Sequence, residues 1–182
     1  MKTTDQTWEA AFIERIEGLE AGELASLRRG CGERDAVEGR CPWFIREIQG
    51  AARPPVTFLV ASLLAQYKTS DIRQGRHRLS GNFGATWKSA IRGTDSDSIK
   101  RRFHILLDAE YDPRTGDGDL PYRLRQMVKY AAVKGFGADW PRLLKDLRGW
   151  NNPEKYVQKA WANTFFANER PEQAAYPLEE TE

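Results

Sequence analysis

The chain has 182 residues, 28 Lys plus Arg against 26 Asp plus Glu for a formal charge of +2, and is 40% hydrophobic and 30% charged. A chain of this length buries roughly two thirds of its unfolded surface without disulfides or metal, which excludes a disordered body and leaves one domain, or one domain with a small lobe. No apolar run approaches the ~20 residues of a membrane span and Met1-Lys2-Thr3-Thr4-Asp5 lacks the apolar core of a secretory signal, so a cytoplasmic protein is expected.

Along the chain the apolar spacing is helical nearly throughout, and no stretch sustains strand alternation. Trp8, Phe12, Ile16 and Leu19 define a first amphipathic helix ending near Gly18 to Gly22. A short second helix carries Leu24, Leu27, Arg28 and Arg29 and stops at Gly30. After the charged, Gly-punctuated stretch Cys31 to Arg40, Pro42 opens a helix through Trp43, Phe44, Ile45 and Ile48 to Gly50. Pro54 and Pro55 open the most apolar segment, Val56 to Tyr67, which has hardly any polar face and is expected to be the central helix. From Lys68 to Gly81 the periodicity disappears, and Lys68, Arg73, Arg76, His77 and Arg78 lie among Ser, Gly and Gln, reading as a mobile basic loop.

A helix through Trp87 and Ile91 follows Asn82-Phe83-Gly84 and ends at Gly93, and the cluster Thr94 to Ser98 offers N-caps for the next. In that next helix Ile99, Phe103, Leu106 and Leu107 share one arc, Arg101, His104 and Asp108 the opposite one, with Arg102 at the border. Asp112 to Gly118 is a turn region. Pro121 starts a helix with Leu124, Met127, Val128 and Ala131 inward and Arg125 and Lys129 outward. Asp139 caps Trp140-Pro141, with Leu143, Leu144 and Leu147 inward and Arg142 and Lys145 outward. Asn152-Pro153 repeats that start signal for a helix burying Val157, Trp161 and Phe165 and exposing Lys155 and Lys159.

The fold class is therefore all-α: a compact bundle of about eight helices. It is expected as one domain over residues 1–170, divisible into packed lobes 1–67 and 81–168 joined by the basic loop 68–80. An acidic disordered tail, residues 171–182, follows. Cys31 and Cys41 have no CxxC spacing and lie far from His77 and His104, so two thiols are expected rather than a disulfide or a zinc site.

Charge is distributed unevenly: residues 1–40 hold 6 basic and 9 acidic side chains, residues 41–170 hold 22 and 13, and residues 171–182 hold 4 acidic and none basic. A basic middle between acidic ends is a candidate polyanion surface. No Gly-rich phosphate cradle, HExxH or Gly-x-Ser-x-Gly elbow occurs, so neither a cofactor nor a catalytic function is expected. His104 and Asp108, four apart, would need a further ligand to hold a metal for a nuclease-like reaction, and read instead as a solvated pair. The pairs Asp117/Asp119 and Asp95/Asp97 fall where turns and caps demand short polar side chains. What recurs is an exposed cation pair on helix after helix: Arg28/Arg29, Arg101/Arg102, Arg125/Lys129, Arg142/Lys145 and Lys155/Lys159. Such stripes suit phosphates, which bind guanidinium and ammonium groups without a reaction centre. The competing reading is ordinary solvation and ion pairing, Arg142 with Asp146 for example. Tyr122 and Tyr130 are candidate base-stacking rings near these cations, with packing as the alternative.

Arg101-Arg102-Phe103-His104-Ile105-Leu106-Leu107, then Leu124-Arg125, then Asp139-Trp140-Pro141-x-Leu143-Leu144-x-Asp146-Leu147-x-x-Trp150 occur in an order and spacing that resemble the CasB family. These proteins are the small subunits of the type I-E CRISPR Cascade effector. Leu27-Arg28-Arg29, Phe83-Gly84 and Trp161, Phe165 and Phe166 agree in order, so the likeness runs over roughly residues 8–167. An extended turn at Asp112 to Asp119, Phe83 in place of the usual Leu, and the acidic tail depart from the pattern. The resemblance implies a non-catalytic helical subunit, present as a dimer along the ribonucleoprotein and touching its backbone and large subunits. It also implies contact with the guide RNA and the displaced non-target single-stranded DNA, stabilising the R-loop. Carried over by matching motif, the nucleic-acid-binding residues are Arg28, Arg29, Arg101, Arg102, Arg125, Arg142 and Lys145, with Lys129, Lys88 and the loop cations secondary. The other reading is a helical scaffold whose arginines meet acidic partner proteins, with no direct nucleic-acid contact.

Overall fold

The computed structural model describes residues 7–29, 41, 43–44, 48, 51, 53–70, 75, 77–94 and 97–167. Among them are eight helices: α1 (Trp8–Glu17), α2 (Ala21–Arg29), α3 (Pro54–Thr69), α4 (Phe83–Ala90), α5 (Asp97–Leu107), α6 (Leu120–Val133), α7 (Trp140–Arg148) and α8 (Tyr156–Phe166). The stretch Cys31 to Arg40, most of the Pro42 to Gly50 helix, Arg73, Arg76 and the tail 171–182 lie outside the described residues.

Local chemistry sets the helix ends. The Thr7 hydroxyl accepts from the Ala10 amide at 3.3 Å and Gly18 closes α1. In α2 the Glu23 carboxylate reaches back to the Glu20 amide at 3.0 Å, half of a capping box. Pro54 and Pro55 occupy the first turn of α3, where their missing N–H groups cost nothing. All twelve residues from Val56 to Tyr67 are buried, so α3 is the central helix that its lack of a polar face demands. Asp139 caps α7, accepting from the Arg142 amide at 3.1 Å, and also holds the Gly81 amide at 3.2 Å.

Around α3 pack α1, α2, α6 and α7, while α4 and α8 pair with each other and α5 lies against α6 and α8. Buried side chains from all eight helices form one continuous apolar cluster, with Trp87, Trp140, Trp150 and Trp161 its largest members. The close α4/α8 crossing depends on Gly84, where a Cβ would stand 2.3 Å from the Trp161 carbonyl oxygen. Asn82 locks the same crossing. Its side-chain oxygen caps α4, and its amide donates to the Ala160 carbonyl at 3.0 Å and the Thr164 hydroxyl at 2.8 Å.

Three features differ from the sequence expectation. Helix α3 runs on through Lys68 and Thr69, so the basic loop starts later. Within that loop β1 (His77–Arg78) pairs in parallel with β2 (Phe136–Gly137), flanked by bonds from His77 N–H to the Gly135 carbonyl (2.7 Å) and from Leu79 N–H to the Gly137 carbonyl (3.2 Å). The described end of the loop is thus paired to the segment that follows α6. Helix α8 starts at Tyr156 rather than at Pro153: Asn152 spends its side chain on the Glu154 amide (2.9 Å), and Lys155 enters the helix from the left-handed region at φ 49°.

Candidate nucleic-acid interface

The candidate interface centres on the C-terminal turn of α3. Gln66 is buried near the end of a mostly apolar run, and its side-chain oxygen accepts from Arg125 Nε of α6 at 3.3 Å. One turn on, the Thr69 hydroxyl donates to the Ala65 carbonyl at 2.8 Å and accepts from Arg28 Nη1 of α2 at 3.4 Å. Two guanidinium groups from separate helices are therefore fixed by residues i and i+3 of a third, on one face of it.

Two more cations join them through α1. Lys68 Nζ donates to the Glu17 carbonyl oxygen and the Arg78 guanidinium of β1 pairs with the Glu17 carboxylate. The position of β1 follows from its partner strand, because Gly137 of β2 sits on the Tyr67 ring; a Cβ there would lie 2.7 Å from it. Lys129, four residues beyond Arg125, is exposed on the same face of α6. A helix C-terminus carries partial negative charge, so assembling cations around it costs less than the same cluster elsewhere.

Other expected residues lie apart. Arg29 is exposed and turns back to the Ser26 hydroxyl at 3.3 Å. Arg101 and Arg102 are exposed on α5, which packs mainly against α6 and α8. Arg142 and Lys145 are exposed on α7, and Arg142 Nε is engaged by the buried Asp146 at 2.8 Å, whose second oxygen accepts from the Trp161 indole at 2.8 Å. Arg125 is half-buried rather than outward like Lys129. Lys88 is half-buried on α4, and Lys155 and Lys159 are exposed at the start of α8. Gln66, Thr69 and Glu17 were not anticipated as parts of the site; a glutamine inside a run as apolar as Val56 to Tyr67 is the one sequence signal that points to a buried polar partner.

The His104 ring lies 5.1 Å from that of Phe166, and both His104 and Asp108 are exposed. Among the described residues no three His, Cys, Asp or Glu side chains are grouped to hold a metal ion, and no helix is long and apolar enough to cross a membrane. Cys41 is fully buried, and Cys31 lies outside the described residues.

Fold and surface together define a small all-helical protein with cations gathered on the end of its central helix. The sequence model of the family described as CRISPR-associated protein Cse2 matches residues 23–166, and the chain belongs to that family. A CRISPR-associated protein Cse2 of Thermus thermophilus is 36% identical over 110 residues, 60% of this chain and 54% of that protein, so the match spans about half the length of that curated relative. In three dimensions the chain is similar to CasB of M. ruber, with 27% identity, TM-score 0.64, and 90% of this chain and 94% of that one covered. It is also similar to a Cse2-family protein from Thermus thermophilus, with 28% identity, TM-score 0.61 and coverages of 86% and 94%. A chain of a CRISPR RNA-guided surveillance complex shares the fold at TM-score 0.69 and 21% identity, covering 87% and 91%.

Proposed function

We propose that this protein is a non-catalytic small subunit of a type I-E CRISPR RNA-guided surveillance complex, acting in antiviral defence. In this role it holds the backbone of the guide RNA and of the displaced non-target DNA strand, stabilising the R-loop. Its partners are the backbone and large subunits of that complex and a second copy of itself. Membership of the Cse2 family supports the assembly. The observation that carries the nucleic-acid part is the convergence of Arg28 and Arg125 on Thr69 and Gln66 of one turn of α3, with Lys68 and Arg78 beside them. Opening an R-loop exchanges one duplex for another of nearly equal stability, so a few backbone contacts tip the balance while base pairing supplies the sequence. Arg28 and Arg125 are the leading contacts, with Lys129 next and Arg29, Arg101, Arg102, Arg142 and Lys145 extending the surface.

The test is a salt titration of single-stranded oligonucleotide binding. Each lost phosphate contact lowers the slope of log K against log salt by about 0.7, so Arg28→Ala with Arg125→Ala is expected to lower it by about 1.4, equally for unrelated sequences. An unchanged slope overturns these two residues. Absence of binding by the native protein at moderate salt overturns the nucleic-acid reading in favour of a protein-binding scaffold.

A further inference from the structure

Four large apolar or aromatic side chains are exposed among the described residues: Trp8, Ile105, Tyr122 and Tyr156. The protein already uses two of the three rings. Trp8 stacks on Phe12 at 5.2 Å and is covered by the Arg148 guanidinium at 4.9 Å. Tyr156 lies over Gly149, where a Cβ would stand 1.7 Å from its phenolic oxygen. Tyr130, the other tyrosine of α6, packs on Trp87 at 5.3 Å with Lys134 at 5.8 Å from its ring. Tyr122 is 65% exposed and makes no ring contact, cation contact or hydrogen bond among the described residues.

Its position on α6 gives that ring a use. Tyr122, Arg125, Gln126 and Lys129 are spaced i, i+3, i+4 and i+7 and share one helix face. The guanidinium of this stripe is held in place by Gln66. A flat ring beside one anchored cation and one exposed cation is the combination that binds single strands: cations take the backbone, and the ring takes a base, whose π-face is available only when the base is unpaired. Tyrosine also loses little conformational freedom on stacking, having few rotatable bonds.

We infer that Tyr122 is a base-stacking platform for a single-stranded polynucleotide whose phosphates lie on Arg125 and Lys129, so that this face distinguishes single strand from duplex. The inference rests on the nucleic-acid reading above and adds an interaction with the bases to it.

The experiment compares the full chain's binding to oligothymidylate and to an abasic oligonucleotide of equal length at fixed salt. Tyr122→Ala is expected to weaken oligothymidylate binding at least about fivefold, the low end of what one stacked base contributes, with abasic binding and the salt slope unchanged. Tyr122→Phe restores the native affinity. An exposed helical alanine preserves the fold, which circular dichroism checks. If Tyr122→Ala changes neither affinity, or both equally, the stacking role is overturned while the backbone grip stands. If the native protein binds neither oligonucleotide, the nucleic-acid reading falls and the stacking role with it.

Discussion

The Asp146 carboxylate offers a measurement that separates Arg142 as a structural residue from Arg142 as a phosphate contact. Its side chain is 7% exposed, and its two oxygens accept from Arg142 Nε and Trp161 Nε1, each at 2.8 Å. Arg142 is 49% exposed, so its side of the bond contributes only the ~0.3–0.5 kcal/mol of an i, i+4 helix pair. Trp161 is fully buried, and an indole N–H deprived of its acceptor there costs about 1–3 kcal/mol. Asp146→Ala is therefore expected to destabilise by about 2–3 kcal/mol in urea titration, or about 4–12 °C in melting temperature for a domain of this size. Asp146→Asn retains an acceptor for the indole and should lose about 0.5–1 kcal/mol, and Arg142→Ala about 0.5 kcal/mol or less. Equal losses for Asp146→Ala and Arg142→Ala would refute the claim that the indole, not the ion pair, dominates. Because Asp146 already engages Arg142, Arg142→Ala should lower the salt slope of oligonucleotide binding less than Arg125→Ala does.

Glu17→Gln removes the carboxylate that engages Arg78 beside the cationic turn, and is expected to strengthen oligonucleotide binding by up to about fivefold, an effect absent in an Arg78→Ala background. Gly84→Ala drives a methyl to within 2.3 Å of the Trp161 carbonyl, a backbone atom that cannot turn aside; a loss of about 1–3 kcal/mol or more is expected in thermal or urea unfolding. Asn82→Ala removes the cap of α4 and two bonds to α8, so a loss of about 1–2 kcal/mol should be seen in the same assay, with α4 and α8 gaining amide exchange together.

Features that depend on near neighbours were legible in the sequence. The run Val56 to Tyr67 announces a buried central helix by having hardly any polar face, and Asp139 before Trp140-Pro141 announces the start of α7, because cap and proline act within one turn. The pairing of Arg142 with Asp146 was readable from its four-residue spacing. Features that depend on distant chain were not legible. Arg125 meets Gln66 across 59 residues, and the two-residue strands β1 and β2 are too short for any alternation to betray them. Asn152 misled because the same side chain can cap a helix or close a local turn, and here it closes the turn onto the Glu154 amide.

The site inherits its rigidity from the part of the molecule with least to do with charge. The apolar body of α3 is buried along twelve residues, so its last turn is held as firmly as the core itself. On the proposed reading, cations anchored there need little ordering when a strand arrives, and ordering long side chains is a large part of what binding costs. Their mutual repulsion is offset in the free protein by the Glu17 carboxylate on Arg78 and the Glu17 carbonyl at the end of α1 on Lys68, which an incoming phosphate can replace or supplement. Helix α6 lies against both α3 and α5. On the proposed reading, a strand that reaches both the α3 turn and Arg101 and Arg102 spans α6, and Tyr122, Arg125 and Lys129, which share one face of that helix, are the substitutions that test whether it does so on that face.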